Sequence, residues 1–271
     1  MEGSESMDPV DPETRRVREA YDRWARRADP TPDGGWFLSD GRTWLCAQAR
    51  GDVLEVGIGG GRNIPYYPPD VRLTGIELSP GMLHLAGRRA EEAGRDVRLV
   101  EGDASDLPLG AESFDSVVFS LSLCSIPDDR RAIVEAVRVL RPGGRLLFLE
   151  HVRSPNRVIR TFQRLADPIS VRRSADHLLR DPLDHVPAVG LVVETLDRRR
   201  AGLIERLVAV KPVPDQVVEA PARESGALED ALEPAGDRDP VESRSTCRHA
   251  AEVGGSFGHL RPQRKRPASS M

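Results

Sequence analysis

Apolar residues follow two alternating patterns along the first 155 positions of the chain. Short continuous runs rich in β-branched and aromatic residues predict buried strands, and segments with apolar positions three or four residues apart predict amphipathic helices. The five predicted strands are 52–56, 71–78, 96–102, 113–120 and 145–152. Because the two patterns alternate, we expect right-handed crossovers and a mainly parallel sheet with helices on both faces.

The helical segments are predicted from their apolar faces and their end signals. They are 15–27, 79–93, 128–140 and a region near 156–166. The first segment carries Val17, Tyr21 and Trp24 on one face, and the third carries Ile133, Val134, Val137 and Leu140. Ser79 is a suitable N-cap and Gly94 a suitable stop for the second helix, and Pro142-Gly143-Gly144 predicts a turn.

The pattern changes after about Pro155. Two strand-like runs, 189–197 and 203–211, are separated by the short sequence RRRAG, which predicts a hairpin at the edge of the sheet. From Pro212 onward apolar periodicity is lost and Pro, Glu, Ala, Asp and Ser dominate. We therefore expect a flexible acidic start at 1–14, one folded domain at 15–212 and a disordered tail at 213–271.

Composition narrows the class of protein. A net charge of −4 over 271 residues gives no electrostatic reason to expect nucleic acid as a partner. Three widely spaced cysteines argue against a disulfide framework and a CxxC-type zinc site, so we expect a reducing cytoplasm and no metal. No stretch approaches the ~20 apolar residues of a membrane span, and the first residues do not resemble a secretory signal. We expect no stable membrane insertion and leave peripheral contact open.

A glycine-rich loop follows the first predicted strand. The sequence VLEVGIGGGRN (53–63) carries Gly57, Gly59 and Gly61, with Glu55 immediately before the loop. Glycines at the carboxyl end of a first strand let a ligand approach the backbone in the crevice of an α/β sheet. The strict GxGxxG fingerprint of dinucleotide sites fails because Arg62 stands at its third position. Taken alone, the loop is explained more readily by a structural strand–helix turn than by a binding site.

Two more acidic residues lie just after the next two strands. Glu77 ends the second strand, where a carboxylate can accept hydrogen bonds from both hydroxyls of a ribose. Asp103 follows the third strand, where it could accept from an adenine amino group beside the Ala104 amide. Taken alone, Glu77 is better explained as an acid that favours a helix start, and Asp103 can be explained as a turn aspartate. Together they predict one nucleotide-like site at this edge of the sheet.

In their order and spacing, these pieces resemble the class I S-adenosylmethionine-dependent methyltransferases. FDSVVFSLSLCSIPD (114–128) and RVLRPGGRLLFLEHV (138–152) resemble the fourth- and fifth-strand motifs of that family, and YDRWA (21–25) resembles its amino-terminal helix. The subgroup is similar to quinone and phospholipid methyltransferases and to relatives that methylate small thiols. The thiol group's Gly-Cys pair after the fifth strand is absent here, where SADHLLRDPL (174–183) stands.

The resemblance implies a fold, a cofactor and a set of residue roles. The fold is α/β: a Rossmann-like, doubly wound sheet of seven strands, mostly parallel with an antiparallel last strand. The cofactor is S-adenosyl-L-methionine. Residues Glu55, Gly57, Gly59 and Gly61 would hold its methionine part, Glu77 the ribose, Asp103 and Ala104 the adenine, and Ser120 would line the site near the sulfonium.

Three residues each have two possible roles at this level. Met82 would pack on the adenine face or serve as a core methionine. His151, at the end of the fifth strand, is the candidate catalytic base or a histidine bound to neighbouring backbone. Cys124 is expected to be a small packing residue, not a nucleophile.

The sequence also leaves rival functions. An NAD(P)-dependent oxidoreductase would need a better glycine fingerprint and often a Tyr–Lys pair, yet the only lysines are Lys211 and Lys265. The remaining rivals are a non-catalytic S-adenosylmethionine-binding protein and a nucleic-acid methyltransferase. The acceptor, lipid, quinone, thiol or another small molecule, stays open, as does the oligomeric state.

Overall fold

The computed structural model describes residues 11–27 and 36–214, and the side chains of 36–38 are not described. The predicted tail from 215 onward, most of the predicted flexible start and the turn-rich stretch 28–35 lie outside these residues. The helices are α1 (Pro12–Arg26), α2 (Trp36–Ala47), α3 (Pro80–Glu92), α4 (Asp129–Val139) and α5 (Arg157–Ser174). The strands are β1 (Asp52–Val56), β2 (Arg72–Glu77), β3 (Val97–Glu101), β4 (Phe114–Ser120), β5 (Leu140–His151), β6 (Val192–Arg199) and β7 (Ile204–Val210).

The seven strands form one sheet in the order β3-β2-β1-β4-β5-β7-β6. Pairs from β3 through β5 are parallel, whereas β7 runs antiparallel to both β5 and β6. The predicted doubly wound sheet with an antiparallel last strand is confirmed. The strand order reverses at β1 and β4, which opens a crevice at their carboxyl ends.

Successive residues of a strand point to opposite faces of the sheet, so the apolar strands present side chains on both faces. Helices cover both. On one face, the α4 side chains of Ile133, Ala136 and Val139 pack with Val117 and Phe119 of β4. On the other, Leu45 and Cys46 of α2 pack with Val118 of β4, together with Ala90 of α3. The sheet therefore has two cores that share its central strands.

Several boundaries differ from the sequence prediction. Helix α1 begins at Pro12, because Asp11 accepts from the amides of Glu13 and Thr14 and a proline suits the first helical turn. Strand β5 already begins at Leu140, so the predicted turn at 142–144 lies inside the strand, beside a register shift opposite Phe114 and Ser116. Helix α5 continues through Pro168 to Ser174.

Helix α2 has no counterpart in the sequence prediction. Its sequence, WFLSDGRTWLCA, mixes polar residues and a glycine into the apolar pattern. Gly41 lies so close to β5 that a Cβ there would stand 3.0 Å from a methyl carbon of Leu149. The glycine that weakens the helical signal thus permits this helix to approach the sheet.

Candidate functional site

A cavity of about 530 Å³ opens at the carboxyl ends of the central strands. Its walls come from the loops after β1, β2, β3 and β4 and from one face of α1. The predicted cofactor residues on the wall are Glu55, Gly57, Gly59, Glu77, Met82, Asp103, Ala104 and Ser120. The three carboxylates singled out by sequence therefore border the same cavity.

The glycine loop takes the left-handed backbone conformation at Gly57, Gly59 and Gly61, with φ of +68°, +54° and +76°. At Gly59 an added Cβ would meet nothing within 4 Å, so this backbone borders open cavity space. Gly61 does not line the cavity: a Cβ there would stand 3.0 Å from the Cα of Ala86. In this structure Gly61 permits close packing of the loop against α3, and its contact with the cofactor stays a prediction.

Glu55 is buried inside a polar network under the loop. Its Oε1 accepts from Asn63 Nδ2 at 2.7 Å and its Oε2 from the Tyr67 hydroxyl at 3.0 Å. Arg42 donates to Asn63 from the other side. Burial raises the pKa of Glu55 to about 7, although these hydrogen bonds and the nearby Arg42 oppose the shift. Glu55 therefore fixes the loop as well as facing the cavity.

Glu77 joins the loop to the start of α3. Its two oxygens accept from the backbone amides of Ser79 and Gly59, at 2.9 and 3.0 Å. Burial raises the pKa of this carboxyl. Each carboxylate oxygen has further acceptor capacity, so Glu77 can still bind hydroxyl groups of a ligand.

Asp103 and Met82 border the same cavity from two other elements. Asp103 Oδ1 accepts from the Ser105 amide at 2.8 Å, which holds the turn after β3. Met82 belongs to the first turn of α3, is 8% exposed and donates its amide to Ser79 Oγ. Its side chain is therefore mostly buried where the cavity wall meets the core.

The loop after β4 forms the far wall. Ser120 lines the cavity, and its buried Oγ has no hydrogen-bond partner within the described residues. The next turn is held by Glu150, whose Oε1 accepts from the amides of Ser122 and Leu123 at 3.0 and 3.1 Å. Its other oxygen lacks a partner in the described part of the chain, and burial raises the pKa of Glu150 to about 7.

Helix α1 covers the cavity with Val17, Tyr21 and Trp24. The Tyr21 hydroxyl lies 2.8 Å from Ser125 Oγ, and Asp22 accepts from Ser79 Oγ and the Gly81 amide. Asp22 thereby binds the amino end of α3, where backbone amides favour a negative charge. Sequence reasoning missed this contact because the partners lie 57 positions or more apart.

His151 is not among the residues that line the cavity. Its Nε2 lies 2.8 Å from Asp176 Oδ1. Cys124 lies in the same cluster: its Sγ, a ring nitrogen of His151 and a carboxylate oxygen of Asp176 are within 4.8 Å of one another. Burial lowers the pKa of His151, but the hydrogen bond and charge of Asp176 outweigh it, so the pKa is raised. Its partner is a carboxylate, not the neighbouring backbone considered from sequence.

Cys124 is buried, and burial raises the pKa of its thiol well above the usual value. A thiol held neutral is a poor nucleophile. This agrees with its expected packing role. Its neighbour Ser125 lines the cavity, so the His151 cluster adjoins the cavity wall through this turn.

These observations fit S-adenosylmethionine. The backbone at Gly59 leaves open space for a ligand, and the Ser120 hydroxyl has no hydrogen-bond partner among the described residues. The carboxyl groups of Glu77 and Asp103 offer acceptors for hydroxyl and amino groups and negative charge for a cation. Apolar side chains of Ile76, Met82 and Ile126 complete a surface for a flat ring.

Comparison with known proteins supports this assignment. Residues 54–148 match the family model described as a methyltransferase domain. The chain is 38% identical over 113 residues to a phosphatidylethanolamine N-methyltransferase of Cereibacter sphaeroides, covering 41% of this chain and 56% of that protein. It is 34% identical over 166 residues to a ubiquinone/menaquinone biosynthesis C-methyltransferase of Methylobacterium nodulans, covering 54% and 64%. Both alignments span less than two thirds of the relative.

A solved structure shares the fold. A geranyl diphosphate methyltransferase in complex with GPP and sinefungin superposes with a TM-score of 0.58 at 17% identity, over 74% of this chain and all of that one. Within residues 11–27 and 36–214, no helix combines the length and apolar character needed to cross a bilayer.

Proposed function

We propose that this chain is a class I methyltransferase that transfers a methyl group from S-adenosylmethionine to a small or lipid-like acceptor, as the match of residues 54–148 to a methyltransferase domain supports. The observation that carries the proposal is the meeting of Glu55, Glu77 and Asp103 with the Gly59 backbone around one cavity. Quinones, phospholipids and small thiols are the candidate acceptor classes. The phospholipid and quinone relatives support the first two.

Each wall residue has a proposed task. Glu77 accepts from the ribose hydroxyls, Asp103 and the Ala104 amide bind the adenine edge, and Met82 packs on its face. Glu55 acts mainly through the loop, because both of its oxygens already accept hydrogen bonds. Ser120, with its unpaired hydroxyl, binds near the reacting end.

When bound, S-adenosylmethionine supplies an activated methyl group on a sulfonium leaving group. The residues of the chain hold acceptor and methyl in line, and such positioning is worth about 7–11 kcal/mol in favourable cases. Tyr21 and Trp24 of α1 exclude water from above. A base is needed only for an acceptor that arrives protonated. His151 is proposed for that role: it does not line the cavity itself, but it is oriented by Asp176 and adjoins the wall at the Cys124–Ser125 turn.

Cofactor binding is tested at two glycines with the same backbone conformation. Gly59→Asn adds a side chain that tolerates positive φ and fills cavity space. Gly94→Asn is the matched control, because Gly94 has φ of +60°, an open surrounding and no place on the cavity wall. In calorimetry with S-adenosylhomocysteine we expect at least tenfold weaker binding for Gly59→Asn and an unchanged affinity for Gly94→Asn.

Failure of the unaltered chain to bind S-adenosylhomocysteine, or equal binding by Gly59→Asn, would overturn the site. NADH is titrated in parallel, and tighter binding of NADH would favour an oxidoreductase. Turnover is then measured with methyl-labelled cofactor against demethylated quinones, phosphatidylethanolamine vesicles and alkyl thiols. Binding without transfer to any of them would favour a non-catalytic binding protein.

The base is tested by pH dependence. A base acts when neutral, so activity with a protonated acceptor should rise with pH through a His151 pKa above its usual value. Asp176→Asn removes the charge that raises this pKa, so the acidic limb of the pH–activity profile should move to lower pH while kcat falls. His185→Gln, which alters a second His–Asp pair with Asp129, should leave the limb in place. An unmoved limb in Asp176→Asn would exclude the pair from this role.

A further inference from the structure

Helix α5 turns its polar side chains toward the protein. Gln163 donates to the carbonyls of Val152 and Leu178, both at 3.0 Å, and accepts from the Ser154 amide at 2.8 Å. One turn later, Asp167 accepts from the Leu178 amide at 2.7 Å. Hydrogen bonds to loop backbone therefore hold this helix in place, and none of its residues is buried.

The opposite face of α5 is apolar and faces outward. Val158, Phe162, Leu165 and Ile169 recur at i, i+4, i+7 and i+11 and are 65%, 68%, 69% and 60% exposed. We call these four residues the α5 stripe. Single exposed apolar residues are ordinary, but an aligned row of four large ones marks an interaction surface.

Positive charge accompanies the stripe. Helix α5 contains five arginines, Arg157, Arg160, Arg164, Arg172 and Arg173, and a single acid, Asp167, which faces inward. None of these arginines has an ion-pair partner within 4 Å among the residues that the structure describes. At 100° per residue, Arg172 and Arg173 lie on the two shoulders of the stripe. The helix is basic in a chain whose net charge is −4.

The helix adjoins the cover of the cavity. Arg16 of α1 donates to the backbone carbonyls of Val171 and Arg172 at 3.4 Å. The same α1 places Tyr21 and Trp24 on the cavity wall. A surface that receives α5 would therefore lie beside the helix under which a ligand binds.

We propose that α5 docks on the surface of an anionic lipid bilayer. The stripe enters the boundary between headgroups and acyl chains, and the flanking arginines bind lipid phosphates, as in interfacial amphipathic helices. An anionic bilayer satisfies the apolar row and the unpaired positive charge together. The proposal concerns attachment and does not depend on which acceptor is methylated.

The test measures sedimentation of the full chain with vesicles of phosphatidylcholine alone or with about 30% phosphatidylglycerol. The stripe variant is Phe162→Ser with Leu165→Ser. Its matched control is Val192→Ser with Leu196→Ser, which alters two exposed apolar residues of β6. The charge variant is Arg172→Gln with Arg173→Gln, matched by Arg88→Gln with Arg98→Gln, which removes the same number of positive charges from α3 and β3.

We expect the unaltered chain to bind the anionic vesicles, and to bind more weakly in 0.5 M salt. The stripe variant should partition at least tenfold less, the charge variant several-fold less, and both controls within twofold of the parent. Thermal unfolding of each variant should match the parent, which separates lost docking from lost folding.

Several outcomes would overturn the proposal. One is an unaltered chain that ignores anionic vesicles. Another is a stripe variant that binds like the parent, which would assign binding to another segment such as the basic sequence near the carboxyl end, RPQRKRP. A third is a parent that sediments as a dimer while the stripe variant is a monomer, which would make a second copy the occupant. Loss of S-adenosylhomocysteine binding is not expected in any of these variants, so the two proposals fail separately.

Discussion

Helix α4 precedes strand β5 along the chain and helix α5 follows it, and the two helices turn opposite kinds of side chain toward the protein. In α4 the inward side chains are apolar: Ala132, Ile133, Ala136 and Val139 are each fully buried. In α5 the inward side chains are polar and the apolar ones face outward. An amphipathic pattern thus predicts that a helix has one apolar and one polar face, but it does not predict which of the two faces contacts the rest of the protein.

The largest expected difference concerns one substitution made in both helices. Ile133→Ala removes buried side-chain volume from the core under α4 and should cost about 2–5 kcal/mol of unfolding free energy. Ile169→Ala removes an exposed side chain and should change it by less than about 0.5 kcal/mol. Urea unfolding of both variants measures this contrast, and equal losses would show that α5 is packed against something in the folded chain.

A smaller effect is expected from the polar anchor of α5. Gln163→Ala leaves two backbone carbonyls and one amide without their partner, and should cost about 1–3 kcal/mol. Thr161→Ala is the control, because its hydroxyl donates to the carbonyl of Arg157 in the same helix. Urea unfolding measures both variants, and if Gln163→Ala is as stable as the control, hydrogen bonds do not hold this helix.

The smallest effect is expected at an isolated apolar residue of α4. Val134 is 46% exposed, and no other large apolar residue of α4 is exposed in the part of the chain that the structure describes. Val134→Ser should alter neither the unfolding free energy by more than about 0.5 kcal/mol nor the binding to anionic vesicles. Weaker vesicle binding in this variant would extend the docking surface beyond α5.

Much of the fold could be predicted because the sheet is built from local signals. Each strand is a compact apolar run, and Ser79, with its side chain accepting from the Met82 amide, caps α3 as expected. Val134 shows the limit of periodicity: the pattern groups it with Ile133, yet the shorter side chains of Ala132 and Ala136 face the sheet in its place. The angular width of an apolar face leaves such one-residue errors open.

Some residues of the candidate site could likewise be predicted from sequence and others could not. Residues at strand ends, such as Glu77 and Asp103, could be placed from sequence because parallel strands bring their carboxyl ends together. The pairs Asp22–Ser79 and His151–Asp176 could not, since each joins elements whose contact depends on tertiary packing. Asp176 lies in the region where the sequence departs from the thiol-methylating proteins it resembles, and that departure is the signal that could have found it.

The two carboxyls buried beneath the cavity loops have a consequence for folding itself. Glu55 and Glu150 have pKa values near 7 in the folded chain, against about 4.5 when solvated. Between these values the unfolded chain has released both protons while the folded chain retains most of them. Folding near pH 6 is therefore coupled to the uptake of more than about one proton by these two carboxyl groups. By the same linkage, the pair stabilises the native state less as the solution is made more alkaline, until both groups have ionised.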